Sequence, residues 1–257
     1  MKRAFNFLFV TTKAGFFLLA ALLWSGVMYF VNNHYQITWE EIFVEADGMV
    51  FDLIVFGVVL TIYEAYREIK EKNERTVRER NEKIERLHEE IDDYRGWDEK
   101  EAMYRIVGAI RRLNKLGVSN INLSSCYLVL AQLDNVNLQN ANLSHANLYG
   151  AKFHNAHLEG AELRGANLNA IHLDNSHLNG AILRGANMNG AHLWQACLEG
   201  ANLDSADLFN ADIAMAELEG ALVKKGWFEK LEKWNITDWE ELKEKYRIDE
   251  NGKLQLK

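Results

Sequence analysis

Residues 141–150 read ANLSHANLYG and residues 206–225 read ADLFNADIAMAELEGALVKK. From Ile121 to Lys225 the chain keeps a period of five without insertion. Neither a helix, with its period of about 3.6, nor a strand, with its period of about 2, explains that spacing. Among 21 consecutive units the central position holds Leu in 17, with Phe153, Met188, Ile213 and Val223 in the others. Two residues earlier Ala stands in 16, with Ile121, Cys126, Val136, Ile171 and Ser176 completing the set. Residues two apart in an extended segment point the same way, so each unit offers one small and one large apolar side chain to a shared interior.

These units resemble the A-[DN]-L-x-x signature of the pentapeptide-repeat family over about 105 residues. The resemblance implies a right-handed quadrilateral parallel β-helix in which each unit forms one side and twenty residues form a coil. Twenty-one units then give about five coils, roughly 25 Å tall at ~4.8 Å between stacked strands. A stack of this kind buries its inner face on its neighbours, so both ends need caps.

The expected organisation is a β-helix over 118–225 with α-helical caps at 98–117 and 226–257. Ala102, Ile106, Ala109, Ile110 and Leu113 share one helical face, with Asp98 and Glu101 at capping-box spacing and Gly117 at the C-terminal end. After Lys225 two short amphipathic helices and a hairpin around Asn251-Gly252 are expected. Trp227, Phe228, Leu231, Trp234 and Trp239 would seal the last coil; pairing of two subunits through these aromatics is the alternative.

Upstream, residues 14–31 and 49–65 are apolar blocks, the second interrupted only by Asp52 and Glu64. They are read as two transmembrane α-helices of a membrane anchor over 1–65. The second span requires Asp52, its intramembrane ionisable residue, to reach an interface. Lys2, Arg3 and Lys13 before the first block and Arg67, Lys70, Lys72, Arg75, Arg78 and Arg80 after the second place both ends on the cytoplasmic side of a bacterial inner membrane. The segment 66–95 is read as a long helical stalk. Its Val77, Ile84, Leu87, Ile91 and Tyr94 fall at heptad-like spacing, which fits self-association through a coiled coil, a solvated single helix or a helix packed on its own domain.

Stacking by twenty places outward residues in columns. One holds Asn137, His157, His177, Cys197 and Glu217, and a neighbour holds Lys152, His172, His192 and Asp212. His157, His177, Cys197, His172 and His192 are the candidate metal ligands by residue type, against the plainer reading of stacked surface side chains. Asn135, Asn155, Asn175 and Gln195 are read as an amide ladder, and Gly160, Gly180, Gly200 and Gly220 as one corner of positive φ. Trp194, Met215 and Phe209 gather apolar surface near the C-terminal end. Together with Trp227, Phe228, Trp234 and Trp239 they are the interaction-surface candidates.

No Walker loop, dinucleotide fingerprint, nucleophile elbow or HExxH motif occurs. The expectation is a non-enzymatic scaffold with no cofactor, its partners being membrane lipid, a cytoplasmic protein and a second copy through stalk or C-terminal cap. An oligomeric membrane effector or small channel is the alternative. Some pentapeptide-repeat proteins mimic DNA and bind type II topoisomerases; here the repeats carry ten acidic and five basic residues, a modest charge for such a mimic. The absence of a basic face argues against nucleic acid as a partner. The two cysteines exclude a disulfide framework, and the 257 residues contain no proline, as suits a backbone whose N–H groups are nearly all used in hydrogen bonds.

Overall fold

The computed structural model describes residue 29, residues 39–236 and residues 239–257. Two compact units, Met1–Arg75 and Thr76–Lys257, divide the chain. Helix α1 (Trp39–Asp93) has residues in both.

The N-terminal expectations need correction. Among the described residues, no helix is long and apolar enough to cross a membrane. This overturns the fold class with two transmembrane helices and the inner-membrane placement built on it. The physical reason lies in the block around Asp52: only residues 53–63 separate Asp52 from Glu64, and eleven helical residues span about 16 Å, roughly half of a bilayer core near 30 Å. Residues 39–48, which precede the second block, are helical and continue into that block and the expected stalk. The block at 14–31, apart from Tyr29, lies outside the described residues.

In the second unit, the heptad-like residues of α1 serve the chain's own core. Leu87 and Ile91 are buried, and Ile84 and Tyr94 pack against the same cluster as Met103, Ile106 and Ile110 of α2 (Lys100–Lys115). Val77, by contrast, is exposed. Arg112 pairs with Glu90 at 2.8 Å and Arg80 donates to the Leu116 carbonyl at 2.6 Å, both fixing α1 against α2 and its C-terminal end. The expected capping box at Asp98 does not form: α2 begins at Lys100, and its N-cap Glu99 makes no side-chain cap hydrogen bond. Burial of the Ala102, Ile106, Ile110 and Leu113 face holds the helix in its place.

From Ile121 the chain winds into a four-sided parallel stack. Isolated parallel bridges join residues twenty apart in four columns, for example Asn122 to Asn142, Tyr127 to Asn147, Gln132 to Lys152 and Asn137 to His157. Four faces follow, starting at 121, 126, 131 and 136. Within each unit, the first and third residues fill the interior, as with Ala166 and Leu168, both fully buried. The buried Ser176 in an alanine position satisfies its hydroxyl on the Leu173 carbonyl at 2.6 Å.

The preference for Asn or Asp at the second position acquires a cause. Its side-chain oxygen accepts the backbone N–H two residues on, as at Asn142 to Ser144 (3.0 Å) and Asp207 to Phe209 (3.1 Å), closing the corner as an Asx turn. The fifth residue then takes the left-handed conformation. Gly160, Gly180, Gly200 and Gly220 do so at φ from 65° to 71°. Asn135, Asn155, Asn175 and Gln195 occupy the same corner position on another face at φ from 54° to 58° and are exposed. They form no ladder: among the described residues the amide pair that bonds along the stack is Asn167 to Asn147, 2.9 Å, at the second position.

Both open ends are closed by hydrogen bonds that imitate another coil. At the start, Asn114 of α2 donates to the Asn137 carbonyl (2.7 Å) and accepts the Asn137 N–H (2.9 Å). Arg95 donates to the carbonyls of Ser124 and Asn122, and Arg111 to that of Gln132. At the end stand α3 (Trp227–Lys233), α4 (Trp239–Lys245) and a hairpin of β1 (Tyr246–Ile248) with β2 (Leu254–Leu256). The hairpin turn lays Gly252 and Leu254 against the last coil, accepting from Val223 and Gly220 at 2.8 and 2.7 Å. Gly252 sits at φ 80°, and a Cβ there would meet the Val223 carbonyl oxygen at 2.8 Å, so only glycine fits. The Tyr246 hydroxyl accepts the Leu218 N–H at 3.2 Å. The edge of the last coil is thereby covered.

Candidate functional site

The interior offers no binding site. Its lining, including Leu143, Leu148, Phe153, Leu158 and Leu168, leaves no room for a water molecule. Cys126 lies inside, where burial pushes its thiol up to about 11 despite the opposing charge of Arg95, so it is an inert core residue. Chemistry and recognition therefore fall to the outer columns.

The fourth face, starting at 136, carries His157, His177 and Cys197 in register. The rings of His157 and His177 stack nearly parallel at 5.0 Å. His157 turns its Nδ1 to Glu159 at 3.2 Å. The Glu159 carboxyl feels burial, which raises it, but its own backbone N–H, His157 and Gln139 outweigh burial and hold it below the usual carboxylate range. Cys197 instead groups with Glu199 and Glu217, all ligand atoms within 4.8 Å. Burial raises the Cys197 thiol above its ordinary value, and Asn179 donates to its sulfur at 2.9 Å. Burial disfavours the thiolate there, and the Asn179 donor occupies the sulfur lone pair that a metal would need.

The third face, starting at 131, is denser. His172 and His192 stack at 4.6 Å. Beside them runs a column at the fourth position of each unit: Asp134, His154, Asp174 and Trp194. The Asp134 carboxylate accepts from both the His154 backbone N–H (3.0 Å) and its ring Nδ1 (2.7 Å). On the other side of the ring, Nε2 stands 3.4 Å from Asp174. His172 leans in from the neighbouring column, its ring 5.5 Å from that of His154. Burial first, then His192 and His154, hold the His172 imidazole below the usual histidine range, which favours its neutral form. His154 was outside the expected ligand set, although the same step of twenty residues aligns it with Asp134 and Asp174.

The apolar candidates divide. Trp194 is 40% exposed and Met215 68%, neighbours on the third face, while Phe209 is 39% exposed on the adjoining second face. Trp227 and Phe228 are buried within the second unit's own core, and Trp234 and Trp239 pack against it. Asp52 lies in α1 at a position whose side chain is outside the described residues.

A closed, capped stack that keeps leucine inside and sets ordered columns outside defines a four-sided parallel β-helix protein. Residues 119–155, 151–190 and 186–223 match the family described as Pentapeptide repeats, with 8 copies, which supports that family for this segment. Among solved structures, the pentapeptide repeat protein Rfr23 from the cyanobacterium Cyanothece 51142 is 39% identical, over 37% of this chain and 61% of its own, with a TM-score of 0.33. This chain thus spans about three fifths of that protein's length. The pentapeptide repeat protein alr5209 from Nostoc PCC 7120 is 29% identical, over 46% of this chain and 95% of its own, with a TM-score of 0.38. HetL from Nostoc sp. strain PCC 7120, described as involved in heterocyst differentiation regulation, is 30% identical, over 42% of this chain and 56% of its own, with a TM-score of 0.20. No curated protein matches this chain.

Proposed function

We propose that the β-helix is a non-enzymatic interaction module that recognises a protein partner on its outer faces. The observation that carries this reading is the apolar cluster of Trp194 and Met215, exposed at one end of the third face of a stack whose interior is sealed. A large aromatic held on a fixed backbone loses little entropy on binding and is the side chain most often found at the energetic centre of an interface. Ten acidic residues on the repeats add a polar surround, which favours specificity and association rate over raw affinity.

The test is affinity capture with the full chain followed by direct binding to each captured protein. Replacing Trp194 and Met215 together by serine is expected to weaken at least one such interaction by about tenfold or more, with the fold unchanged by circular dichroism. An unchanged set of partners and affinities would sink the proposal.

A further inference from the structure

We propose that His154, His172 and Asp174, with Asp134 behind His154, form a binding site for a single divalent late first-row transition-metal ion, of which Zn2+ fits the ligand types best.

Carboxylates flank the His154 ring on both sides. Asp134 takes the Nδ1 side of the ring at 2.7 Å, while the His154 backbone N–H anchors the same carboxylate oxygen at 3.0 Å. Nε2, on the other side of the ring, stands 3.4 Å from the Asp174 carboxylate. A ring nitrogen and a carboxylate so placed are both ligand types for one cation held between them. A proton would satisfy this pair alone, whereas the ligand atoms of His154, His172 and Asp174 all lie within 4.8 Å of one another, so one metal ion serves all three. Zinc bonds to histidine nitrogen at about 2.0–2.1 Å, which requires the half-buried rings to close by roughly an ångström at the surface of the stack.

Asp134 supplies what an isolated pair of histidines lacks. A carboxylate on the distal nitrogen fixes the tautomer and orientation of a metal-bound imidazole and raises its basicity. The backbone contributes equally, because parallel bridges hold Lys152, His172 and His192 at fixed spacing along the face. Two histidines and one carboxylate leave a coordination position open to water. The Lys152 ammonium, one coil from His172 on this column, opposes a cation, and the two carboxylates Asp134 and Asp174 outweigh it in charge. The second candidate grouping, Cys197 with Glu199 and Glu217, is less suited because Asn179 already donates to its sulfur at 2.9 Å.

The experiment is titration of the metal-depleted full chain with Co2+ and Zn2+. Saturable binding of a single equivalent is expected, with a visible Co2+ spectrum of nitrogen and oxygen ligands and no thiolate-to-metal band. His154→Gln and His172→Gln should each weaken binding at least tenfold, and Asp134→Asn by about 10–100-fold, while Cys197→Ser leaves it unchanged. The Co2+ spectrum of the unaltered protein decides the ligand type even where a variant folds poorly. Absence of saturable binding below about 1 mM, a thiolate band, or binding lost with Cys197→Ser but kept with His154→Gln would overturn the proposal.

Discussion

Phe153→Ala is expected to destabilise the β-helix by about 3–5 kcal/mol, whereas Phe153→Leu should cost less than about 1.5 kcal/mol. Phe153 is buried and packs within a lining of Leu143, Leu148, Leu158, Leu163, Leu168 and Leu173. It occupies the central position of its unit, where the other units overwhelmingly carry leucine. Alanine would open a void that coils on both sides cannot fill, because each is pinned by backbone hydrogen bonds to the next. Leucine restores the side chain that the repeat already accommodates. Denaturant unfolding of both variants measures the contrast. Equal losses would mean that the interior is not a leucine-width stack.

The second large effect is expected at the opposite kind of residue, a polar one. Asn114→Ala should cost about 2–3 kcal/mol, because it strips partners from the N–H and the carbonyl of Asn137 at once and each loss in a partly buried setting is worth about 1 kcal/mol or more. The Asn114 amide presents a donor and an acceptor side by side, as the backbone of a preceding coil would. Loss of that pair should first free the amide of Asn137 and then fray the first coil, since stability in a repeat stack is passed between neighbours. Hydrogen exchange at Asn137 together with the melting temperature checks this. Unchanged protection of that amide would show that the cap rests on the apolar face of α2 alone.

How far the sequence reveals the molecule differs by region, for physical reasons. The five-residue period was enough for the interior and the four faces, because geometry repeats wherever composition does. The role of Ile84, Leu87 and Ile91 was open, since an apolar stripe looks the same whether it meets a second copy or α2. Asn114 and Arg95 could not be recognised as caps, because they match the β-helix through side-chain hydrogen bonds that leave no periodic trace. The N-terminal block misled because carboxylates read as reaching the interfaces leave only residues 53–63 between them, and it is the uninterrupted apolar length that a bilayer requires. The column of Asp134, His154 and Asp174 follows from the same step of twenty as the histidine columns. The approach of His172 does not, since it crosses between columns and depends on side-chain rotamers.

The absence of proline now has a backbone account. In a typical unit, Ala146, Asn147, Leu148 and Gly150 each donate to a main-chain carbonyl, leaving Tyr149 to bond the Asn147 side chain at 3.4 Å. Four of five positions thus lose a main-chain bond if proline replaces them.

That pattern supplies the most direct test of the stacked-coil architecture, residue-resolved amide exchange across 121–223. Protection is predicted to recur every five residues, with Tyr149, Asn169, Asn189 and Phe209, whose N–H groups bond side chains alone, exchanging faster than Leu148, Leu168, Met188 and Leu198. Equal protection at both sets of positions, or exchange without a five-residue period, would contradict it.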